Sequence, residues 1–120
     1  MDMLRYQHFL IAKLWIPEYG ASDSVEVYPA LRAYSPYHNV RDQVSYPAVM
    51  LTAAESDSRV HPFHARKMTA ALQWATSSGE PILARIETKA GHGAGKPIAK
   101  RVEEFTDVYS FVMWKLGMLE

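Results

Sequence analysis

The sequence contains no cysteine, no long apolar run and no excess charge of either sign. The lack of cysteine excludes a disulfide framework and a thiolate metal site. Nowhere do eighteen apolar residues run together, and the first residues lack a basic segment followed by an apolar core, so neither a membrane span nor a signal peptide is predicted. Thirteen basic residues balance thirteen acidic ones, which argues against nucleic acid or an anionic membrane as a partner. We therefore expect a soluble protein of the cytoplasm or periplasm.

The length of 120 residues allows one domain with a buried core. It is short for an open α/β sheet with helices on both faces, and no repeat or low-complexity segment extends it. Size alone thus raises the hypothesis that the chain is part of a larger domain.

Two apolar runs and two amphipathic patterns fill the second half of the chain. Residues 48–53 and 82–88 are predicted to be strands, the second more polar and nearer a sheet edge. Pro62 and Pro97 each open a predicted helix. The apolar positions of these helices are Ala65, Met68, Leu72 and Ala75 before Gly79, and Ile98, Val102, Phe105, Tyr109, Val112 and Leu116 before Gly117.

The first half reads as short helical segments and loops. Asp2 is placed to cap a helix over residues 3–7, and Pro29 to open another that Ser35-Pro36 ends. The order of elements predicts an α/β fold in which a parallel strand-helix-strand-helix unit follows an N-terminal helical segment.

Asp57 and His92 each follow a predicted strand by four residues. The carboxyl ends of neighbouring parallel strands lie at one edge of a sheet, where functional groups collect. An aspartate that accepts the Nδ1 proton of a histidine fixes its tautomer and stabilises the imidazolium formed when Nε2 takes a serine proton. The pair therefore indicates two members of a hydrolase triad, in the order acid then histidine that α/β-hydrolases use.

Three other patterns are weaker. Ser22 lies between Gly20 and Ser24, but a nucleophile elbow needs a second glycine and a preceding β-branched strand, so a loop role is predicted. His61 and His64 are spaced to chelate a metal, yet no further placed carboxylate or thiol joins them, and no metal site is expected. The glycines around His92 fit neither the dinucleotide-binding pattern nor the Walker pattern of phosphate-binding loops.

The residues around this pair closely resemble the end of the prolyl oligopeptidase family of serine peptidases. The resemblance is carried by Asp57-Ser58-Arg59-Val60-His61-Pro62 after Leu51-Thr52-Ala53 and by Lys89-Ala90-Gly91-His92-Gly93-Ala94-Gly95-Lys96-Pro97. It extends to Tyr34-Ser35-Pro36-Tyr37-His38-Asn39-Val40 and to Met1-Asp2-Met3-Leu4-Arg5-Tyr6, and so covers nearly the whole chain.

The resemblance implies an α/β-hydrolase that cleaves short peptides after proline without a cofactor. It makes Asp57 the triad acid and His92 the general base and later general acid. Trp15 matches the tryptophan that stacks on the substrate proline, and Arg59 the arginine that holds a substrate carbonyl. Tyr19 lies where the family has an active-site tyrosine.

The chain also departs from the family pattern. Ser58 stands where many members carry a second aspartate, and His61 where an apolar residue is common. In the family the nucleophile elbow, the oxyanion donors and a β-propeller all lie upstream of the part matched here. Residues 1–120 are therefore expected to be the C-terminal part of the catalytic domain, inactive alone.

Two alternatives remain. A truncated α/β module leaves an apolar sheet edge and face, which would drive homo-oligomerisation of a non-catalytic chain. The other alternative is a related aminopeptidase or esterase. It is distinguished from a peptidase that cleaves after proline by whether Trp15 and Arg59 face the cleft near His92.

Overall fold

The sheet is the centre of the fold. The computed structural model describes residues 1–88, 91 and 96–119. Two strands, Val49–Ala54 (β1) and Ile82–Glu87 (β2), pair in parallel, with Val49 opposite Ile82 and Ala54 opposite Glu87. The predicted parallel pairing is confirmed. The helices of the described residues are Ile16–Tyr19 (α1), Tyr28–Tyr34 (α2), Phe63–Ala75 (α3) and Ile98–Lys115 (α4), with 3₁₀ turns at Tyr6–His8, Ala12–Trp15 and Pro36–Asn39.

Helix α3 connects the two strands and packs against both. Its buried face carries His64, Ala65, Thr69, Leu72 and Ala75, close to the helical spacing that the sequence predicts. Burying this face against the sheet removes apolar surface from water, which is the main favourable term in folding.

The end of α3 differs from the prediction, because the helix stops at Ala75 instead of continuing to Gly79. Thr76 is extended and forms a parallel bridge with Val44, and the amide of Ser77 donates to the Val44 carbonyl at 2.9 Å. Gln43 in turn donates its amide to the Ala75 carbonyl at 2.7 Å. Residues that were predicted to be loop thus supply the hydrogen bonds that end the helix.

The N-terminal segment is made of short turns and not of one capped helix. Asp2 Oδ1 accepts the Leu4 amide at 3.1 Å, as predicted for a capping residue, but the helical hydrogen bonds that follow are 3₁₀ turns. A positive φ of 54° at Leu10 separates the first two turns. The segment is held by a buried cluster of Met3, Tyr6, Ala12 and the fully buried Leu31.

Helix α4 is joined to β2 and to the segment just before it by charged side chains. Arg85 Nε lies 2.7 Å from Asp107, Lys100 lies 3.3 Å from Glu87, and Lys115 pairs with Glu80. No residue of α4 is buried, although its sequence carries the predicted apolar stripe. The exposed members of that stripe are Ile98, Val102, Phe105, Tyr109, Val112 and, just past the helix, Leu116. Among the described residues, no helix is long and apolar enough to cross a bilayer.

Candidate active site

Asp57 is fixed by the turn that follows β1. Its amide donates to the Ala54 carbonyl at 3.3 Å, and its Oδ1 accepts the amides of Arg59 and Val60 at 2.8 and 2.9 Å. An aspartate that hydrogen-bonds the backbone two and three residues on is a common turn former. Here the turn holds a half-buried carboxylate at the carboxyl end of a parallel strand.

His92, the predicted general base, lies outside the described residues. Its neighbour Gly91 is described, and a Cβ added there would lie 3.6 Å from the Ser56 carbonyl oxygen. The residue before His92 therefore lies beside the residue before Asp57. Asp57 and Gly91 also line one cavity of about 340 Å³, so the segments after β1 and β2 meet at this sheet edge.

A larger cavity of about 500 Å³ contains all three predicted substrate-binding residues, Trp15, Tyr19 and Arg59. Most of its wall is apolar or aromatic, as is typical of sites for small ligands. The other apolar and aromatic lining residues are Met1, Met3, Tyr6, Phe9, Ala12, Tyr34 and Val60.

Packing behind the cavity holds Trp15 and Tyr19. Trp15 packs on the buried cluster around Leu31. The ring of Tyr19 meets that of Tyr6 edge to face, with centroids 5.8 Å apart. The Tyr6 hydroxyl donates to the Gly20 carbonyl at 2.6 Å, and burial raises its pKa, so it remains a donor.

Gly20 is required where α1 ends. Its φ is +82°, and a Cβ added there would lie 2.3 Å from Val27 Cγ1. A left-handed residue with no room for a side chain favours glycine. The tyrosine just before it is thereby held at the cavity wall.

Arg59 links the cavity of about 500 Å³, called the aromatic cavity below, to the turn that holds Asp57. Its backbone amide donates to Asp57 while its exposed side chain lines the aromatic cavity. A third cavity, of about 320 Å³, is lined by Asp57, Val60, His61 and His64, and the last three also line the aromatic cavity. The two regions of the site therefore share one wall.

Both histidines of that wall use Nδ1 as an acceptor. His61 Nδ1 accepts the Phe63 amide and His64 Nδ1 the Asp2 amide, each at 3.1 Å. Burial lowers the pKa of His64 to about 4, so its ring is neutral at pH 7. No cluster of three or more His, Cys, Asp or Glu side chains that could hold a metal occurs in the described part of the chain.

The hydroxyl of Ser22 is used in two hydrogen bonds within the fold. Its hydroxyl donates to the Leu4 carbonyl and accepts from Gln7 Nε2, both at 2.7 Å. These bonds join the loop after α1 to the N-terminal segment, which agrees with the loop role predicted for Ser22.

An ionic cluster around Asp2 was not indicated by any sequence pattern. The Asp2 side chain is completely buried and lies 2.6 Å from Lys67 Nζ and 2.9 Å from Arg5. His38 Nδ1 lies 3.7 Å from it and 2.8 Å from the hydroxyl of Ser35, which accepts the Met3 amide at 3.0 Å. This Asp2 cluster ties the N-terminal segment to α3. A lysine and an aspartate sixty-five residues apart show no local pattern that could have revealed it.

Comparison with known proteins agrees with this geometry. A model of the prolyl oligopeptidase family matches residues 1–119. The chain is 43% identical over 119 residues to a prolyl endopeptidase of Elizabethkingia meningoseptica, a match that covers 98% of this chain and 17% of that protein. It is 35% identical to prolyl oligopeptidase A of Amanita bisporigera, again over 98% of this chain and 16% of the relative.

Solved structures agree as well. One from a study of two prolyl endopeptidases superposes with a TM-score of 0.94 at 45% identity, over 99% of this chain and 18% of that one. A post-proline cleaving enzyme from Rickettsia typhi gives a TM-score of 0.87 at 28% identity, over 97% of this chain and 16% of that one. The chain thus spans about one sixth of the length of these relatives, and it belongs to the prolyl oligopeptidase family, with the α/β-hydrolase fold of that family's catalytic domain.

Proposed function

We propose that this chain supplies the acid and base side of a serine peptidase site that hydrolyses bonds after proline in short peptides. Residues 1–120 would be the C-terminal part of the catalytic domain. The observation that carries the proposal is that Trp15, Tyr19 and Arg59 line one cavity, while the Arg59 amide is bonded to Asp57. These are the residues that the family resemblance selects.

The family resemblance implies a role for each residue, and the chemistry of its side chain suits that role. The indole of Trp15 offers a flat apolar face to the proline ring. The guanidinium of Arg59 donates to a substrate carbonyl, and the Tyr19 hydroxyl adds a second polar contact. Asp57 accepts the Nδ1 proton of His92, so that Nε2 takes the proton of the attacking serine and returns it to the leaving amine.

The chain alone is proposed to be inactive. The sequence has no Gly-x-Ser-x-Gly segment, and the closest approach to one, around Ser22, is used for loop hydrogen bonds. Without a nucleophile and oxyanion donors, the acid and base have no acyl-enzyme to form. The chain would act with a segment that carries both.

Binding of a proline peptide tests the cavity. Trp15→Leu keeps an apolar side chain but removes the stacking face, and it should weaken binding of N-acetylglycylproline amide about tenfold, as expected for loss of an aromatic contact. Affinity is measured by chemical-shift titration in NMR. Trp74→Leu is the control, because Trp74 is exposed on α3 and does not line the cavity. Equal affinity in both variants would contradict the proposal, and so would hydrolysis of the peptide by the chain alone.

A second proposed role is self-association, favoured by the exposed stripe of α4. Ile98 and Leu116 are 79% and 69% exposed, and Tyr109 between them is 60% exposed. Apolar surface of this kind on a helix face marks an association site. Sedimentation at micromolar concentration should give a homo-oligomer, and Val102→Glu should shift it towards monomer, because a charge would be buried at the interface. A monomer in the unaltered chain would contradict self-association.

A further inference from the structure

We infer that Glu18 is a specificity-determining residue, whose carboxylate pairs with an ammonium group on the residue before the bound proline. The inference rests on the proposed function, since it places a proline peptide in the aromatic cavity with its ring on Trp15. The ammonium group is either that of a lysine side chain or that of a free amino terminus. A peptide with a positive charge just before its proline is then the preferred ligand.

Glu18 lies in α1, three residues after Trp15, and both line the aromatic cavity. Residues three apart on a helix are neighbours on its surface, with Cβ atoms about 5–6 Å apart. A proline ring on Trp15 therefore brings the adjoining residue of the peptide within reach of Glu18. Among the described lining residues of this cavity, Glu18 is the one acidic side chain.

The Glu18 carboxylate lies near the tyrosine hydroxyls at this end of the cavity. Burial raises the pKa of the Tyr6 hydroxyl. Tyr34, Tyr19 and Glu18 raise this pKa further, because their anionic forms repel the phenolate. All four residues line the aromatic cavity. Oxygen acceptors and aromatic faces, which both attract cations, are thus gathered at one end of it.

The charge of Glu18 is available to a ligand. Its side chain is exposed, and within the described part of the chain it has no ion-pair or hydrogen-bond partner. Arg59 lines the same cavity but does not pair with it. A hydrated carboxylate beside aromatic rings can exchange water for an ammonium group, which gains both an ion pair and a cation–π contact.

The direction of the bound peptide decides which of its residues Glu18 meets. The third cavity, which Asp57 lines, shares part of its wall with the aromatic cavity, but neither Trp15 nor Glu18 belongs to the shared part. A peptide with its proline ring on Trp15 and its scissile bond towards Asp57 therefore has its amino-terminal side towards α1. Glu18 then faces the residue before the proline and not the leaving group.

The test measures the dissociation constants of four peptides by NMR titration of the whole chain. N-acetyllysylproline amide and N-acetylnorleucylproline amide differ in a side-chain ammonium group, and glycylproline amide and N-acetylglycylproline amide differ in a free amino terminus. The charged member of at least one pair should bind about two- to fivefold more tightly, the value of an exposed ion pair. Salt at about 0.5 M should reduce this preference, because it screens exposed charges.

Two matched variants assign the preference. Glu18→Gln keeps the shape of the side chain and removes its charge, and it should abolish the preference for the charged peptide. Asp23→Asn should retain that preference, because Asp23 is an exposed carboxylate in the loop after α1 that does not line the cavity.

The outcomes separate this inference from the proposed function. A preference in the first pair alone identifies a lysine side chain, in the second alone a free amino terminus, and in both an ammonium group of either origin; each supports the inference. If the unaltered chain shows no preference, if Glu18→Gln keeps it, or if Asp23→Asn also abolishes it, the role of Glu18 is wrong. The cavity still stands in that case if Trp15→Leu weakens binding of N-acetylglycylproline amide. If none of the four peptides binds the unaltered chain, both proposals are wrong.

Discussion

Replacing Lys67 with methionine should lower the free energy of unfolding by about 2–3 kcal/mol at pH 7. Lys67 Nζ lies 2.6 Å from the completely buried carboxylate of Asp2. Removing one partner of a buried ion pair leaves an uncompensated charge, which costs about 3–5 kcal/mol in a closed interior. The cost is smaller here because Arg5, at 2.9 Å, still faces the carboxylate and Lys67 is itself partly exposed.

The effect should depend on pH in a defined direction. Burial alone would raise the pKa of Asp2, but hydrogen bonds from Lys67 and Arg5 outweigh it and hold the pKa below its usual value. A carboxyl with a depressed folded pKa contributes stability above its unfolded pKa of about 3.9 and loses that contribution as pH falls through the folded value. In Lys67→Met the pKa of Asp2 rises, so Asp2 takes a proton at higher pH and the cost of the substitution shrinks towards pH 4.

Urea unfolding at pH 7 and pH 4 measures the cost of Lys67→Met in free energy of unfolding and the decrease of that cost at low pH. Lys13→Met is the control, because Lys13 is exposed, and it should change stability by less than about 0.5 kcal/mol. Asp2→Asn retains an Oδ1 for the Leu4 amide while removing the charge. In that background Lys67→Met should cost much less than in the unaltered chain. Equal costs in the two backgrounds would show that the ion pair contributes no stability.

Local patterns predicted the elements whose residues are close in sequence. The strands were predicted to within one residue, from short apolar segments of typical strand length bounded by turn residues. Prolines gave the starts of α3 and α4 because a missing amide proton is tolerated only in the first turn. The early end of α3 was missed, because it depends on a partner elsewhere in the chain, Val44 for Thr76.

The residues of the candidate site also differ in how far local sequence predicted them. Spacing alone suggested Asp57, but only the family resemblance selected Trp15, Tyr19 and Arg59, since nothing in their local sequence indicates that they share a cavity. His61 was noted as a departure from the family pattern. Its hydrogen bond from the Phe63 amide and its ring contact with Phe9, fifty-two residues upstream, are visible only in three dimensions.

Asp57→Asn should lower the pKa of His92 by about one pH unit or more, because a carboxylate near an imidazole favours its protonated form. Asparagine keeps an Oδ1 that accepts the amides of Arg59 and Val60, so the turn should be retained and only the charge removed. In a complete peptidase the same change would slow acylation strongly, since the aspartate stabilises the imidazolium that forms in the transition state.

NMR titration of the His92 ring shows whether Asp57 and His92 act as a pair. The titration midpoint should move to lower pH in Asp57→Asn and stay unchanged in Asp42→Asn, which removes an exposed carboxylate from a loop before the sheet. The same midpoint for His92 in the unaltered chain and in both variants would contradict the pairing, and with it the proposed mechanism.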